Sequence, residues 1–576
     1  MSAPDPRLAV ALRAHRAGDG DTAERLYREI LEDNPKNADA LHLRGVLAQQ
    51  RGDSDRAAVL IGEAIAIDPK VPDYHNAMGE TFRARGRFGD AIRQYRRALG
   101  LDADLAGVHN NLGLALEAEG ILDEAEAAFR RALEIAPEHG RAHSNLGVLL
   151  KATGRLDQAV GHYAAALAID PDDADARNNM GNILVTVGRL DEAVVEYRRA
   201  IARRPDFAQA FDNLGVALKD LGQLDEAIES HRRAIALRPD LAEAHKNLGL
   251  ALLLGGDFEN GFAEYDWRWR ARDAWPRPFS HPRWTGEPLA GTTLLAWGEQ
   301  GIGDEVMYAS VLDDVIAAGA RLVIECDERL ASLFARSFPD AEVVARAAVP
   351  DSRLLEPMID RHSATGSLCR WLRRSARSFA APRAYLTADP EQAARIRARY
   401  DALGRGPKIG VAWRSKSGVA TVDNIRFSIA KSSSLNQWYP VLMQADAVFV
   451  NLQYGDCAEE LEAVEHRYGV RVHHDSAIDQ MADLDGFAAQ IAALDIVVAT
   501  SNAAVHLAGA LGKEVWTLIP KVPDWRWQLD RDDSLWYPRM RLFRQTEAGD
   551  WDRVLARVGA ALAPAIEAGR LGAQAM

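Results

Sequence analysis

Residues 211–249 read FDNLGVALKDLGQLDEAIESHRRAIALRPDLAEAHKNLG, and the stretch begins again before it ends, with Asn213 and Gly215 returning as Asn247 and Gly249 34 positions later. Working outward, the same step orders everything before it. Prolines stand at Pro35, Pro69, Pro137, Pro171, Pro205 and Pro239, with Ala103 in the one gap. One glycine ladder runs from Gly45 to Gly249 and a second from Gly18 to Gly256, with alanines from Ala23 to Ala227. An aromatic often follows four residues after the alanine, as at Tyr27, Tyr95, Phe129, Tyr163, Tyr197 and Tyr265. The first glycine and the alanine are small enough for two antiparallel helices to approach closely. The second glycine supplies a positive-φ turn between them, and the proline ends the second helix. The ladders predict a helix pair repeated about eight times, with atypical first and last units acting as caps.

This pattern resembles the tetratricopeptide repeat (TPR). Asn111, Asn145, Asn179, Asn213 and Asn247 share one position in five consecutive units. Asparagine is a mediocre helix former, so the ladder needs an offsetting gain. Two readings are open. The carboxamides can hold an extended protein acceptor by its backbone, or they can bridge neighbouring helices. The NNLG…LDEA style is similar to the repeats of O-linked N-acetylglucosamine transferase, where such a ladder holds the protein substrate. His75, His109, His143 and His245 also share a position, and with no cysteine nearby they read as groove or packing residues, not metal ligands.

All 13 tryptophans lie at or beyond Trp267, so the second half is a different machine. Over its 576 residues the chain is 48% hydrophobic and 26% charged, as globular proteins are, with a net charge of −14 that argues against a nucleic-acid binder. Cys326, Cys369 and Cys457 are too few for a disulfide framework or a zinc site. No run is apolar enough to span a membrane, so the expected location is the cytoplasm.

After Tyr265 the repeat fails, and a Trp- and Pro-rich junction (266–291) follows. Short apolar runs then alternate with helical patterns. Thr293–Trp297, Arg321–Cys326 and Glu342–Ala345 read as strands of one lobe (292–400). Lys408–Trp413, Ala447–Gln453, Val470–His473, Ile496–Thr500 and Val515–Ile519 read as strands of another (401–576), which ends in a helix expected to cross between lobes. Such alternation implies two doubly wound parallel sheets behind a TPR solenoid (1–265), with a cleft at the strand carboxyl ends.

Two strand–turn–helix segments carry the chemistry. In WGEQGIGDEVM (297–307), Gly301 and Gly303 let a ligand approach the backbone. Asp304 suits a general base for an attacking hydroxyl, or simply a carboxylate favoured at a helix start. In SNAAVHLAGALG (501–512), the backbone amides of Ser501, Asn502, Ala503 and Ala504 can cradle a diphosphate or another anionic leaving group, and His506 either caps that pocket or is a core histidine. Lys416 and Lys521 follow strand ends, where a cation would meet phosphate, or are surface lysines. Trp525 and Trp527 read as structural, and Arg526 as a ligand group.

Together these segments resemble the GT-B glycosyltransferases of family 9, the heptosyltransferase type. "IGDEVM" looks like that family's first-lobe motif, which implies that Asp304 is the base. In the donor lobe, Ser501, Asn502 and Ala503 replace the family's acidic, hydroxyl and glycine positions, while His506 is retained. The resemblance also implies a ribose contact at Glu459 and a phosphate contact at Arg426. The tail PDWRW…SLWYPRMRLFRQ…DW is similar to bacterial TPR proteins with a glycosyltransferase domain, some of which modify flagellin. The resemblance therefore implies a metal-free, cofactor-free protein O-glycosyltransferase, fed by a nucleotide sugar and acting on Ser or Thr of a protein held in the TPR groove. A scaffold or export chaperone with an inactive GT-B half is the alternative. Transfer to a lipopolysaccharide-type acceptor is a third reading.

Overall fold

The computed structural model describes residues 5–271, 276–379, 384–415 and 430–571. Packing divides the chain into two compact units, Met1–Ala210 and Phe211–Met576.

The first unit consists of antiparallel helix pairs, from Pro6–Arg16 with Gly20–Asp33 to Ala174–Thr186 with Leu190–Arg203. Every turn glycine from Gly18 to Gly188 has φ between 68° and 82°, a region that costs a side-chain-bearing residue but not glycine. Four of the inner glycines, Gly79, Gly113, Gly147 and Gly181, face aromatic rings, and Gly45 faces Ile61. A Cβ on Gly79, Gly113 or Gly181 would lie 2.5 Å from a ring carbon of Tyr95, Phe129 or Tyr197. Those aromatics are fully buried, so these three pairs are locked by a small residue on one helix and a ring on the other.

The second unit opens with the last two helix pairs, ending at Phe258–Tyr265 and a short 3-10 turn, Asp266–Arg270. Two wholly parallel sheets follow. The first comprises β1 (Thr293–Trp297), β2 (Arg321–Cys326), β3 (Glu342–Ala345) and β4 (Arg361–Ala364), in the order β3-β2-β1-β4. The second comprises β5 (Lys408–Ala412), β6 (Val448–Asn451), β7 (Val472–His473), β8 (Ile496–Thr500), β9 (Glu514–Ile519) and β10 (Met540–Arg544). Its order is β10-β9-β8-β5-β6-β7. Counted from β5, this is the 3-2-1-4-5-6 arrangement of dinucleotide-binding sheets, which reverses direction between β5 and β8.

Packing differs from the sequence reading at three points. The last two repeats cluster with the sheets, although their pattern continues that of the first unit. Helix Pro390–Asp401, placed by sequence at the end of the first lobe, packs on Leu484–Ala492 of the second, and Tyr400 there shares hydrogen bonds with Asp475 and Gln490. The terminal helix Trp551–Glu567 does not cross between lobes. Its apolar stripe of Val554, Leu555, Val558 and Leu562 is buried with Trp438, Val441 and Leu442 of the second lobe, and Gly559 lies against the Pro440 backbone. Among the described residues, no helix is long and apolar enough to cross a membrane.

Candidate functional site

The two lobes meet where the helix after β1 (Ile302–Tyr308) packs on the helix after β8 (Ala503–Ala510). Gly303 makes the contact possible, because a Cβ there would lie 2.9 Å from His506 Cδ2. Each helix follows a strand beside the point where its sheet reverses direction, the place at which open α/β sheets bind ligands.

Asp304 stands at this junction. One carboxylate oxygen accepts from the Gly301 amide at 3.3 Å, and the other is 2.8 Å from Arg526 Nη2. Arg526 comes from the short turn after β9 and is also held by Asp524, at 3.0 Å through Nε. Burial alone would weaken the guanidinium charge. Asp524 and Asp304 outweigh it and hold the Arg526 pKa well above its ordinary value. The same pairing, chiefly with Arg526, keeps Asp524 ionised below the usual carboxylate range despite its burial.

Lys431 completes the cluster. Burial pushes its pKa down to about 8, while Asp524 and Asp304 pull the other way. No glycine turn or family motif marks Lys431 in the sequence, and that reading missed it. Arg426 and Lys416 lie outside the described residues.

His506 is 4% exposed and held by burial well below its ordinary pKa, so it is neutral. Its Nδ1 is 2.7 Å from Tyr537 Oη, and its ring stacks on Trp527 at 5.4 Å. Tyr385 donates its hydroxyl to the Val306 carbonyl at 2.9 Å.

The remaining candidate residues of the second lobe serve mainly to join loops. Ser501 Oγ accepts from Trp527 Nε1 at 2.9 Å. Asn502 caps its helix by accepting from the Ala504 amide, and donates to the Arg414 carbonyl at 3.1 Å, closing the gap between β8 and β5. Ala503 is the first residue of that helix. Glu459 is exposed, whereas its neighbour Glu460 pairs with Arg414 at 2.9 Å and accepts from Trp413 Nε1 at 3.0 Å. Lys521 is half exposed, 3.8 Å from Glu547. Trp525 and Trp527 are both buried, in keeping with their structural reading.

The turn that carries Asp304 is braced from below. Glu305 lies under Gly298, where a Cβ would come within 2.3 Å of its carboxylate. It accepts from the Asp327 amide at 3.0 Å and pairs with Arg346, which donates to the Gly298 carbonyl at 2.8 Å. Burial raises its pKa to about 7 despite Arg346.

In the repeats, the ladder asparagines are half-buried, and three of them bridge backwards. Asn111 donates to Asn76 at 3.2 Å, Asn145 to Asn110 at 2.8 Å and Asn247 to Asp212 at 3.2 Å, each 35 residues away. Asn179 and Asn213 occupy the same position. The recipients form a second polar ladder, one position earlier, already visible in doublets such as Asn110-Asn111. The histidines are packing residues: Nε2 of His75, His109, His143 and His245 is 2.9–3.1 Å from the carbonyl six residues back.

Comparison with known proteins bears on the repeats. The TPR repeat family matches residues 79–120 and 215–256, and tetratricopeptide repeat families match 104–172, 14–80 and 150–214. Protein FlbA of Caulobacter vibrioides is 37% identical over 292 residues, 49% of this chain and 48% of its own length, so the chain spans about half of that relative. Among solved structures, pilF of Pseudomonas aeruginosa has a TM-score of 0.34 at 24% identity, covering 36% of this chain and 95% of its own. A tetratricopeptide repeat protein of Parabacteroides merdae has a TM-score of 0.36 at 16% identity, covering 43% and 97%. Residues 14–256 are thus a run of tetratricopeptide repeats, and the chain continues into two parallel-sheet lobes.

Proposed function

We propose that the two lobes form a GT-B glycosyltransferase. It transfers a sugar from a nucleotide-sugar donor to Ser or Thr of a protein held by the repeats, with flagellin the candidate acceptor and the cytoplasm the site of action. The observation that carries this reading is the Asp304–Arg526 pair at 2.8 Å, a carboxylate from one lobe's turn meeting a guanidinium from the other's. In transfer, Asp304 takes the proton of the acceptor hydroxyl as its oxygen attacks the anomeric carbon. The bond from that carbon to the phosphate oxygen breaks, and its electron pair leaves with the nucleotide. Arg526 and Lys431 are the cations positioned to stabilise that charge. An arriving phosphate competes with Asp304 for Arg526, which frees the carboxylate as donor binds. No metal is required for this chemistry.

Donor binding tests the lobes directly. At least one nucleotide sugar in a panel raises the unfolding midpoint of the full chain. The shift shrinks in Lys431→Met, and shrinks in the wild type above about pH 8 as Lys431 loses its proton. No shift with any nucleotide sugar contradicts the reading.

The scaffold alternative keeps one specific support. Ser501 and Asn502, which stand where the resembled family has an acidic and a hydroxyl side chain, both commit their side chains to holding loops together. A scaffold shows no shift in that panel but still binds its protein partner.

A further inference from the structure

The turn that aims Asp304 is held from outside its own lobe. Gln300 has φ +62°, a backbone conformation that persists in a non-glycine residue only where its surroundings impose it. Its amide donates to Tyr265 Oη at 2.8 Å, and Tyr265 is the last residue of the final repeat helix. Glu299, one residue earlier and 5% exposed, is gripped by both arms of Arg268, at 2.9 and 2.7 Å. Arg268 is 7% exposed and anchored in turn to the Tyr265 carbonyl, Asp266 and Ser367. Glu299 also accepts from the Gly366 amide at 3.0 Å, which ties the turn after β1 to the start of the helix after β4, Thr365–Leu372.

The same helix end reaches the loop that carries Arg526. Trp525 meets Phe262 edge-on at 5.7 Å and lies 6.5 Å from Tyr265. Gly256 leaves room for the Gln528 amide, 3.1 Å from where its Cβ would be. One helix end therefore touches both loops whose charges meet at the Asp304–Arg526 pair.

We propose that Tyr265 and Arg268 are positioning residues for Asp304. The final repeat is then a working part of the cleft, and not only a handle for the acceptor. This rests on the reading of Asp304 as base. The Tyr265 hydroxyl fixes Gln300, Arg268 fixes Glu299, and together they set where the Asp304 carboxylate stands relative to Arg526.

Tyr265→Phe in the full chain keeps the ring against Trp525 and removes only the oxygen that Gln300 donates to. The expected result is an unfolding midpoint within about 2 °C of the wild type, with amide exchange of residues 299–304 faster by roughly tenfold. In transfer, kcat falls about tenfold while KM for the nucleotide sugar stays within about twofold. Arg268→Lys, which keeps the charge, retains more kcat than Arg268→Met. If Tyr265→Phe does not fold, Gln300→Ala removes the same bond from its other end and carries the same expectations. Unchanged exchange across 299–304, or a change in KM alone, overturns the proposal. A wild type that transfers no sugar counts against Asp304 as base, while the exchange measurement still decides whether Tyr265 holds the turn.

Discussion

The helix pairs of residues 1–210 and the junction of the two lobes treat polar groups in opposite ways. In the repeats the recurring polar side chains meet partners at fixed offsets: a histidine the carbonyl six residues back, an asparagine amide the residue 35 back. The charged pairs there lie mostly on the surface, as with Arg96 and Glu124, where such pairs contribute little. At the junction no offset recurs. Asp304, Lys431, Asp524 and Arg526 come from three segments of chain and are largely buried, and their charges shift the pKa of Lys431, Asp524 and Arg526. Periodic polar residues mark helix pairs that bridge to their own neighbours, and perturbed charges gather where the period has ended.

The sharpest way to strain this contrast is to add one methyl on each side of it. In Gly181→Ala the new Cβ meets the Tyr197 ring, 2.5 Å away, and the ring can tilt. In Gly249→Ala it meets the backbone of Tyr265 at 2.5 Å and of Gly261 at 2.9 Å, which cannot yield. Gly249→Ala should cost about 3 kcal/mol or more, and Gly181→Ala about 1–3, measured by urea unfolding of the full chain. Equal costs would mean that the final repeat is no more tightly built than the others.

Protonation separates the regions next. Glu305 has a folded pKa near 7, above its value in the unfolded chain, so the folded state binds the extra proton. Stability should therefore fall as pH rises from about 4.5 to 7 and level off above. The loss is on the order of 1–3 kcal/mol. Glu305→Gln keeps the acceptor for the Asp327 amide and should flatten that slope, read from unfolding midpoints between pH 5 and 8. An unchanged slope would assign the pH dependence to another group.

The smallest effects belong to the ladder. Asn111→Ala, Asn145→Ala and Asn247→Ala each remove one bridge, worth about 1 kcal/mol. If the amides serve only as bridges, the triple variant stays folded and binds acceptor as before. If they also hold the acceptor through their carbonyls, its affinity drops by about tenfold or more.

The repeats were legible because each position recurs often enough to be its own control. Strands β1, β2, β3 and β8 were legible as apolar runs, and the structure places them at the predicted residues. β4 was not, because RHSA is a short strand whose Arg361 and His362 are only half-buried and break the apolar signal. The terminal helix was visible but its partner was not: an apolar stripe tells that a face is covered without saying by what. Asp304 and Arg526 could be picked out from their motifs, yet their pairing joins residues more than two hundred positions apart. Lys431 carries no local signal at all. Its character comes from burial and from carboxylates contributed by two other segments.

The central claim is that Asp304 takes a proton from a protein hydroxyl. Intact-mass measurement of the acceptor, produced with the wild type or with Asp304→Asn, tests it most directly. The variant keeps the shape and the contact with the Gly301 amide but cannot act as a base. The account predicts a sugar-sized mass increment on the acceptor with the wild type, and a rate lower by roughly 10²-fold or more with folded Asp304→Asn. Full transfer by Asp304→Asn would contradict it.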